Sequence, residues 1–192
     1  NGLNEYINKM NIKTDTLQIE TRAFIDGEYV ESIDQNTIKK TSSIDGRKLP
    51  SLTSCNKKDV DRAVEISLDA YKSKIWSGKS LISRQKIILK LAQLVEDNKE
   101  ELALLDTLET GRSLKNFLID SIPKAVESMR WFAHAIDKVF DKSVSPSEDV
   151  LSIIVREPLG VVGIITPWND PLVVSFWKLV PALLMGNSVI LK

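Results

Sequence analysis

The sequence predicts an α/β fold built on a doubly wound parallel sheet, and two observations near its carboxy-terminal end carry that prediction. Val161-Val162-Gly163-Ile164-Ile165 is a continuous, mostly β-branched run, as expected of a strand covered on both faces. After the turn Thr166 to Asn169 come a helix-length apolar segment and a second β-type run, Ser188 to Leu191. Strand, helix and strand with short links make a βαβ unit, whose strands must be parallel and adjacent or nearly so. Helical-period segments upstream supply the layers that such a sheet needs.

Taken in order, Asn1 to Leu17 is a polar tail with no apolar core behind a basic flank, so it is not read as a signal peptide. Ala23 to Val30 is two short β-type runs around Asp26-Gly27, a hairpin signal. Ile33 to Ser54, rich in Ser, Thr, Asp, Gly and Pro, reads as loop with short extended pieces. From Lys58, Val60, Ala63, Val64, Ser67, Leu68 and Tyr71 follow helical spacing. Ser83 is the expected N-cap of a second helix with Ile87, Ile88, Leu91, Leu94 and Val95 on one face. A third helix, Lys99 to Thr110, ends at Gly111, a natural left-handed cap. A fourth runs from about Pro123 to Phe140, proline suiting a first turn.

Ser143 to Asp149 reads as a polar turn and Val150 to Val155 as a strand, paired either with Lys138 to Val144 or with another subunit's edge. Pro171 to Met185 reads as helix, in which Pro181 implies a kink or a break into two short helices. The chain stops at Lys192 directly after a strand-like run, so it reads as a piece of a longer protein.

Composition narrows the function classes. Lys plus Arg and Asp plus Glu both total 26, so no net charge draws the chain to nucleic acid or an anionic membrane, and neither is an expected partner. The most apolar region, Leu159 to Leu191, is interrupted too often to supply the ~20 residues of a spanning helix. Cys55, the one cysteine, excludes an internal disulfide and a multi-thiolate metal site and fits a reducing cytoplasm; no metal is assigned. Gly160 and Gly163 give G-x-x-G, which is neither the dinucleotide fingerprint nor a P-loop. His134, mid-helix with nothing to orient it, is read as a surface or half-buried histidine rather than part of a triad.

In open parallel sheets ligands sit beyond the carboxyl ends of the strands. Here those ends are Thr166 to Asn169 and Lys192. Lys192 offers an ammonium to hydroxyl or phosphate oxygens, Asn169 amide donors to a developing oxyanion, and Trp168 a flat wall. Each also has an ordinary reading, as an edge charge, a turn residue or a packing aromatic, and spacing alone leaves the function undecided.

The string Arg156-Glu157-Pro158-Leu159-Gly160-Val161-Val162-Gly163-Ile164-Ile165-Thr166-Pro167-Trp168-Asn169 resembles the aldehyde dehydrogenase superfamily. So do Trp177 to Leu183, Gly186 to Lys192 and, upstream, Phe24 to Val30, Asp61-Arg62-Ala63, Glu101 to Leu105 and Glu109-Thr110-Gly111-Arg112. Met129 to Ala133 and Ala135 to Phe140 look most like the γ-glutamyl-γ-aminobutyraldehyde dehydrogenase branch. The resemblance implies a partial Rossmann-like NAD(P)-binding domain, with helices at the amino-terminal side and a β-hairpin arm used in oligomerisation. Its divisions are the tail 1–17, the mainly helical 18–137, the hairpin 138–157 and a first βαβ unit over 158–192, the catalytic domain lying beyond. It implies NAD or NADP as coenzyme, a small-molecule aldehyde as substrate, oxidation to the carboxylic acid, a cytoplasmic setting and a homodimer or homotetramer.

By the same resemblance Asn169 matches the side-chain donor to the oxyanion. Ile165, Thr166, Pro167 and Trp168 match the loop along the coenzyme, and Lys192 the lysine that hydrogen-bonds the adenosine ribose. Asp170, Val173, Val174 and Trp177 fall at the substrate tunnel, and Glu109 near a monovalent-cation site of some members. The family's cysteine nucleophile and glutamate base match nothing here, Cys55 included, so the chain alone is expected to be inactive. Asp170 replaces a usual aromatic residue. It reads either as an anion attracting an aminoaldehyde or as a first-turn acid favoured by the helix dipole. The rival readings are a non-catalytic cofactor-binding or oligomerisation module, and a semialdehyde or CoA-acylating branch of the same superfamily.

Overall fold

The computed structural model describes residues 19–192, so the expected polar tail lies outside the described residues. Ala23–Ile25 (β1) and Glu28–Val30 (β2) pair antiparallel, as the Asp-Gly signal predicts. Asp26 and Gly27, at φ 60° and 79°, supply the two left-handed positions of a two-residue hairpin turn. Thr37–Thr41 (β3) and Lys48–Thr53 (β4) form a second antiparallel hairpin where the sequence suggests mostly loop. Its side chains are largely exposed, so it lacks the apolar alternation by which a half-buried strand is recognised.

Helix α1, Lys57–Lys72, opens with a capping box: the Asn56 side chain accepts the Lys58 and Asp59 amides, and the Asp59 carboxylate accepts the Asn56 amide. The other Asp59 oxygen accepts the Ile33 amide and ties α1 to the hairpin region. Helix α2, Leu81–Asp97, is capped by Ser80, not Ser83: the Ser80 hydroxyl accepts the Ser83 amide at 3.2 Å. Ser80 keeps extended backbone, while Ser83 already lies in the first turn and serves as the donor. Its buried stripe is Arg84, Ile88, Ala92 and Val95; Ile87 and Leu94, expected on that face, are exposed.

Helix α3, Lys99–Thr110, ends as predicted at left-handed Gly111, whose N–H donates to the Thr107 carbonyl. The predicted fourth helix lies within a longer composite segment: a turn of α4 (Leu114–Asn116) and a π-turn (Phe117–Ser121), neither expected from the sequence, lead into α5 (Ile122–Ala135), which ends in a 3-10 turn (Ile136–Lys138). Phe140 falls beyond it and is exposed.

Lys142–Ser147 (β5) and Val150–Ile154 (β6) pair with each other, which decides between the two partners left open by the sequence. The polar turn shrinks to Glu148-Asp149, because Ser143 to Ser147 belong to β5. Every residue of this hairpin is exposed, including Leu151 and Ile153.

Val161–Ile164 (β7), Pro171–Leu184 (α6) and Ser188–Leu191 (β8) form the expected βαβ unit, with Val161 to Ile164 parallel to Ser188 to Leu191 in unbroken register. Two details differ. Helix α6 continues through Pro181 rather than dividing. Strand β7 is not covered on both faces: Ile164 is buried but Gly163 is exposed, and among the described residues β8 is its only partner strand.

The core is helical. Ile88 and Ala92 of α2, Leu104 and Leu108 of α3, Phe117, Val126 and Met129 of the composite segment, and Val180 and Leu184 of α6 close into one cluster. The carboxyl end of α6 is anchored to it by polar groups that local periodicity does not reveal. Buried Arg84 donates to the carbonyls of Leu184, Ser77 and Lys79, and the Trp76 indole donates to the Leu183 carbonyl. A cation at a helix carboxyl end satisfies unpaired carbonyls and opposes the negative pole. Asn187, also buried, accepts the Gly160 amide and donates to the Ala182 carbonyl, locking the end of α6 to the entry of β7.

Candidate active site

The anchoring of α6 fixes what its other end presents. Beyond the strand tips, the Thr166 amide and hydroxyl both donate to the Lys192 carbonyl at 3.0 and 3.1 Å, and the Lys192 amide donates to the Ile164 carbonyl at 2.8 Å. The loop Ile165 to Asn169 and Lys192 therefore leave the sheet side by side at its carboxyl edge. Ile165 and Trp168 are 76% and 88% exposed, Thr166 and Pro167 half-buried, and Asn169 and Lys192 exposed. The loop therefore presents two large apolar side chains, Ile165 and Trp168, to solvent at this edge. These residues lie at the carboxyl edge of the only parallel strand pair among the described residues, the edge at which open parallel sheets bind ligands.

A second group of side chains abuts this loop, joining Asp170, a candidate from the sequence, to Arg112, to which the sequence assigns no role. Arg112 Nη1 lies 3.1 Å from Asp170 Oδ2 and donates to the Asn169 carbonyl at 3.2 Å, while its guanidinium lies over the Phe117 ring, 4.9 Å from the centroid. Asp170 is the N-cap of α6, yet its side chain bonds none of the first-turn amides. Its other oxygen, Oδ1, is buried without a partner, while the side chain as a whole is half-buried and its charge is paired with Arg112. Nearby, Asp106 also has a buried, unpartnered oxygen. Burial first, then the Asp170 and Glu109 carboxylates, push its carboxyl up to about 7 against the opposing pull of Arg112. The motif Glu109 to Arg112 was visible in the sequence, but no local spacing points from it to a loop more than fifty residues downstream.

The remaining candidates separate. Val173 is 2% exposed and turned inward, whereas Val174 is half-buried and Trp177 exposed along the same helix. Glu109 faces the Lys40 ammonium at 3.6 Å, so its counter-charge comes from β3. Among the described residues, no group of three or more His, Cys, Asp or Glu side chains is arranged to hold a metal ion. Cys55 sits in the link between β4 and α1, where desolvation and the Asp59 and Asp34 carboxylates raise its thiol, the opposite of what a nucleophile needs. His134 is exposed, in the last turn of α5 rather than its middle. A cavity of about 240 Å³ between α3 and the β3–β4 hairpin, lined by Leu49, Leu52, Asp106 and Glu109 among others, includes no residue of the strand-tip site. Among the described residues no helix is long and apolar enough to cross a membrane.

Comparison with known proteins shows the family. Over 177 residues the chain is 42% identical to the NADP/NAD-dependent aldehyde dehydrogenase PuuC of Escherichia coli K12, and 34% identical to an aminoacetaldehyde dehydrogenase of Pseudomonas aeruginosa. Each match covers 92% of this chain and 36% of the relative, so the chain spans about a third of the length of the curated relatives it matches. The crystal structure of a γ-glutamyl-γ-aminobutyraldehyde dehydrogenase from Burkholderia cenocepacia superposes with a TM-score of 0.92 at 36% identity, covering 97% of this chain and 38% of that one. Residues 29–192 match the aldehyde dehydrogenase family model, and the chain belongs to the aldehyde dehydrogenase family.

Proposed function

We propose that this chain supplies the coenzyme-facing and oxyanion-facing part of an NAD(P)-dependent aldehyde dehydrogenase. The observation that carries this reading is the joining of the Ile165–Asn169 loop to Lys192 across the tips of two parallel strands. NAD or NADP, when bound, accepts the hydride from the substrate carbon. In this reading Lys192 holds a ribose hydroxyl, and Ile165, Thr166, Pro167 and Trp168 line the coenzyme and exclude water from it. Asn169 donates its amide N–H to the carbonyl oxygen as that oxygen gains charge, a contribution that grows in a dry site. The attacking thiolate and the base that activates water come from protein outside this sequence, so this chain alone turns over no aldehyde.

The substrate class is an aldehyde bearing an amino or γ-glutamylamido group, on the strength of the two relatives whose names specify such substrates. Val174, Trp177 and Asp170 form part of the wall it passes. The exposed β5–β6 hairpin joins subunits into a homodimer or homotetramer, its apolar Leu151 and Ile153 pointing to a covered surface. The division at 138–157 and 158–192 follows from this role, and a cytoplasmic location suits the coenzyme pool and the unpaired cysteine.

The test uses the full-length enzyme carrying this chain, with reduced coenzyme followed by absorbance for amino, γ-glutamylamido and neutral aldehydes with each coenzyme. Asn169→Ala is expected to lower kcat by about 10²–10³-fold with coenzyme affinity retained. A wild-type enzyme that forms an acyl-CoA, or that reduces no coenzyme with any aldehyde, would overturn the reading.

A further inference from the structure

We infer that Arg112 is a positioning residue for the oxyanion donor: its guanidinium clamps the Asn169–Asp170 backbone so that the Asn169 amide is held at one place. The inference rests on the functional reading above. Three observations carry it.

The loop has little else to hold it at that point. Ile165, Trp168 and Asn169 are exposed, and among the described residues the Asn169 carbonyl has the Arg112 N–H as its hydrogen-bond partner. Next, Asp170 occupies an N-cap, where an aspartate usually turns its carboxylate onto the first-turn amides. Here it bonds none of them and faces Arg112 instead. A helix start that forgoes its own cap for a distant cation is organised around the loop, not around the helix. Lastly, the guanidinium is itself immobilised, by the Phe117 ring beneath it and by the left-handed turn at Gly111 that begins its segment.

Both contacts come from one nitrogen, Nη1, while the plane of the guanidinium lies over the Phe117 ring, a combination that a lysine ammonium does not reproduce. Asp106, with its buried oxygen, stands beside this pair; while protonated it does not compete with Asp170 for the cation.

The test is a double-mutant cycle in the full-length enzyme with Arg112→Met, Arg112→Lys and Asn169→Ala, measuring kcat, KM for aldehyde and the dissociation constant of the coenzyme. Displacing a catalytic donor by about 1 Å costs up to about 10²-fold. Arg112→Met is therefore expected to lower kcat roughly ten- to hundred-fold for amino and neutral aldehydes alike, with coenzyme binding changed by less than about twofold. Arg112→Lys is expected to fall between the two, and Arg112→Met with Asn169→Ala to be no slower than Asn169→Ala alone, because both act through one donor. If Arg112→Met does not fold, the cycle with Arg112→Lys decides the matter in the same way. A kcat within about twofold of wild type, or losses that multiply in the double variant, would overturn the inference. A wild-type enzyme without aldehyde oxidation would sink the functional reading and this inference together. An active wild type indifferent to Arg112 would sink the inference alone.

Discussion

Asp106 makes the stability of this chain depend on pH up to about neutrality. Its carboxyl moves from 3.8 to about 7 on folding, so the folded state binds the proton more tightly than the unfolded chain. The stabilisation is complete below pH 3.8 and is lost as pH rises through about 7. Integrating between pH 5 and pH 8 gives about 2.6 kcal/mol, which partial solvent exposure of the group reduces to about 1–2 kcal/mol. Glu20 and Asp34, lowered to about 2 by hydrogen bonds, lose their contributions only at more acid pH and leave the window clear. Asp106→Asn keeps the shape and removes the charge. Thermal melts of the purified chain at half-unit steps should show the wild type losing stability from pH 5 to pH 8. The variant's profile should be flatter, and at pH 8 it should melt about 3–6 °C higher. Parallel profiles for the two proteins, or a wild type that gains stability over this range, would refute the burial and charge argument.

Other outcomes follow from the same contacts. Arg84→Met leaves the carbonyls of Leu184, Ser77 and Lys79 without their charged donor and is expected to cost about 3 kcal/mol or more in denaturant unfolding. Asn187→Ala removes the side-chain bridge that accepts the buried Gly160 amide and donates to the Ala182 carbonyl, and should cost about 1–3 kcal/mol by the same measurement. Gly111→Ala places a Cβ 3.1 Å from Ser43 Cβ at φ 77° and should lower stability by about 1–2 kcal/mol, whereas the same change at Gly46, which has open space but φ 71°, should cost only the backbone part. Leu151→Lys with Ile153→Lys, on the exposed hairpin, is expected to lower the mass of the full-length enzyme in light scattering; an unchanged oligomer would count against that surface.

Much of the fold was legible because its signals are local. The βαβ unit, the Asp26-Gly27 hairpin and the Gly111 cap each depend on a few consecutive residues whose backbone preferences act without help. Errors arose where two local readings were equally good, as with Ser80 and Ser83, or where no apolar pattern existed, as in the exposed β3–β4 hairpin. The strand-tip residues Thr166, Asn169 and Lys192 were reachable from topology, since parallel strands must end at one edge.

By itself the sequence determined the family, most of the helices and the βαβ unit, and with that unit the edge at which its two parallel strands end. Only the tertiary structure decided that Arg112 reaches Asn169 and Asp170, that Arg84 closes the end of α6, and that Asp106 holds its proton to near neutral pH. Local periodicity encodes which face of an element turns inward. It carries nothing about which polar groups from distant segments meet there, and it is burial beside a particular partner that sets their charge and their role.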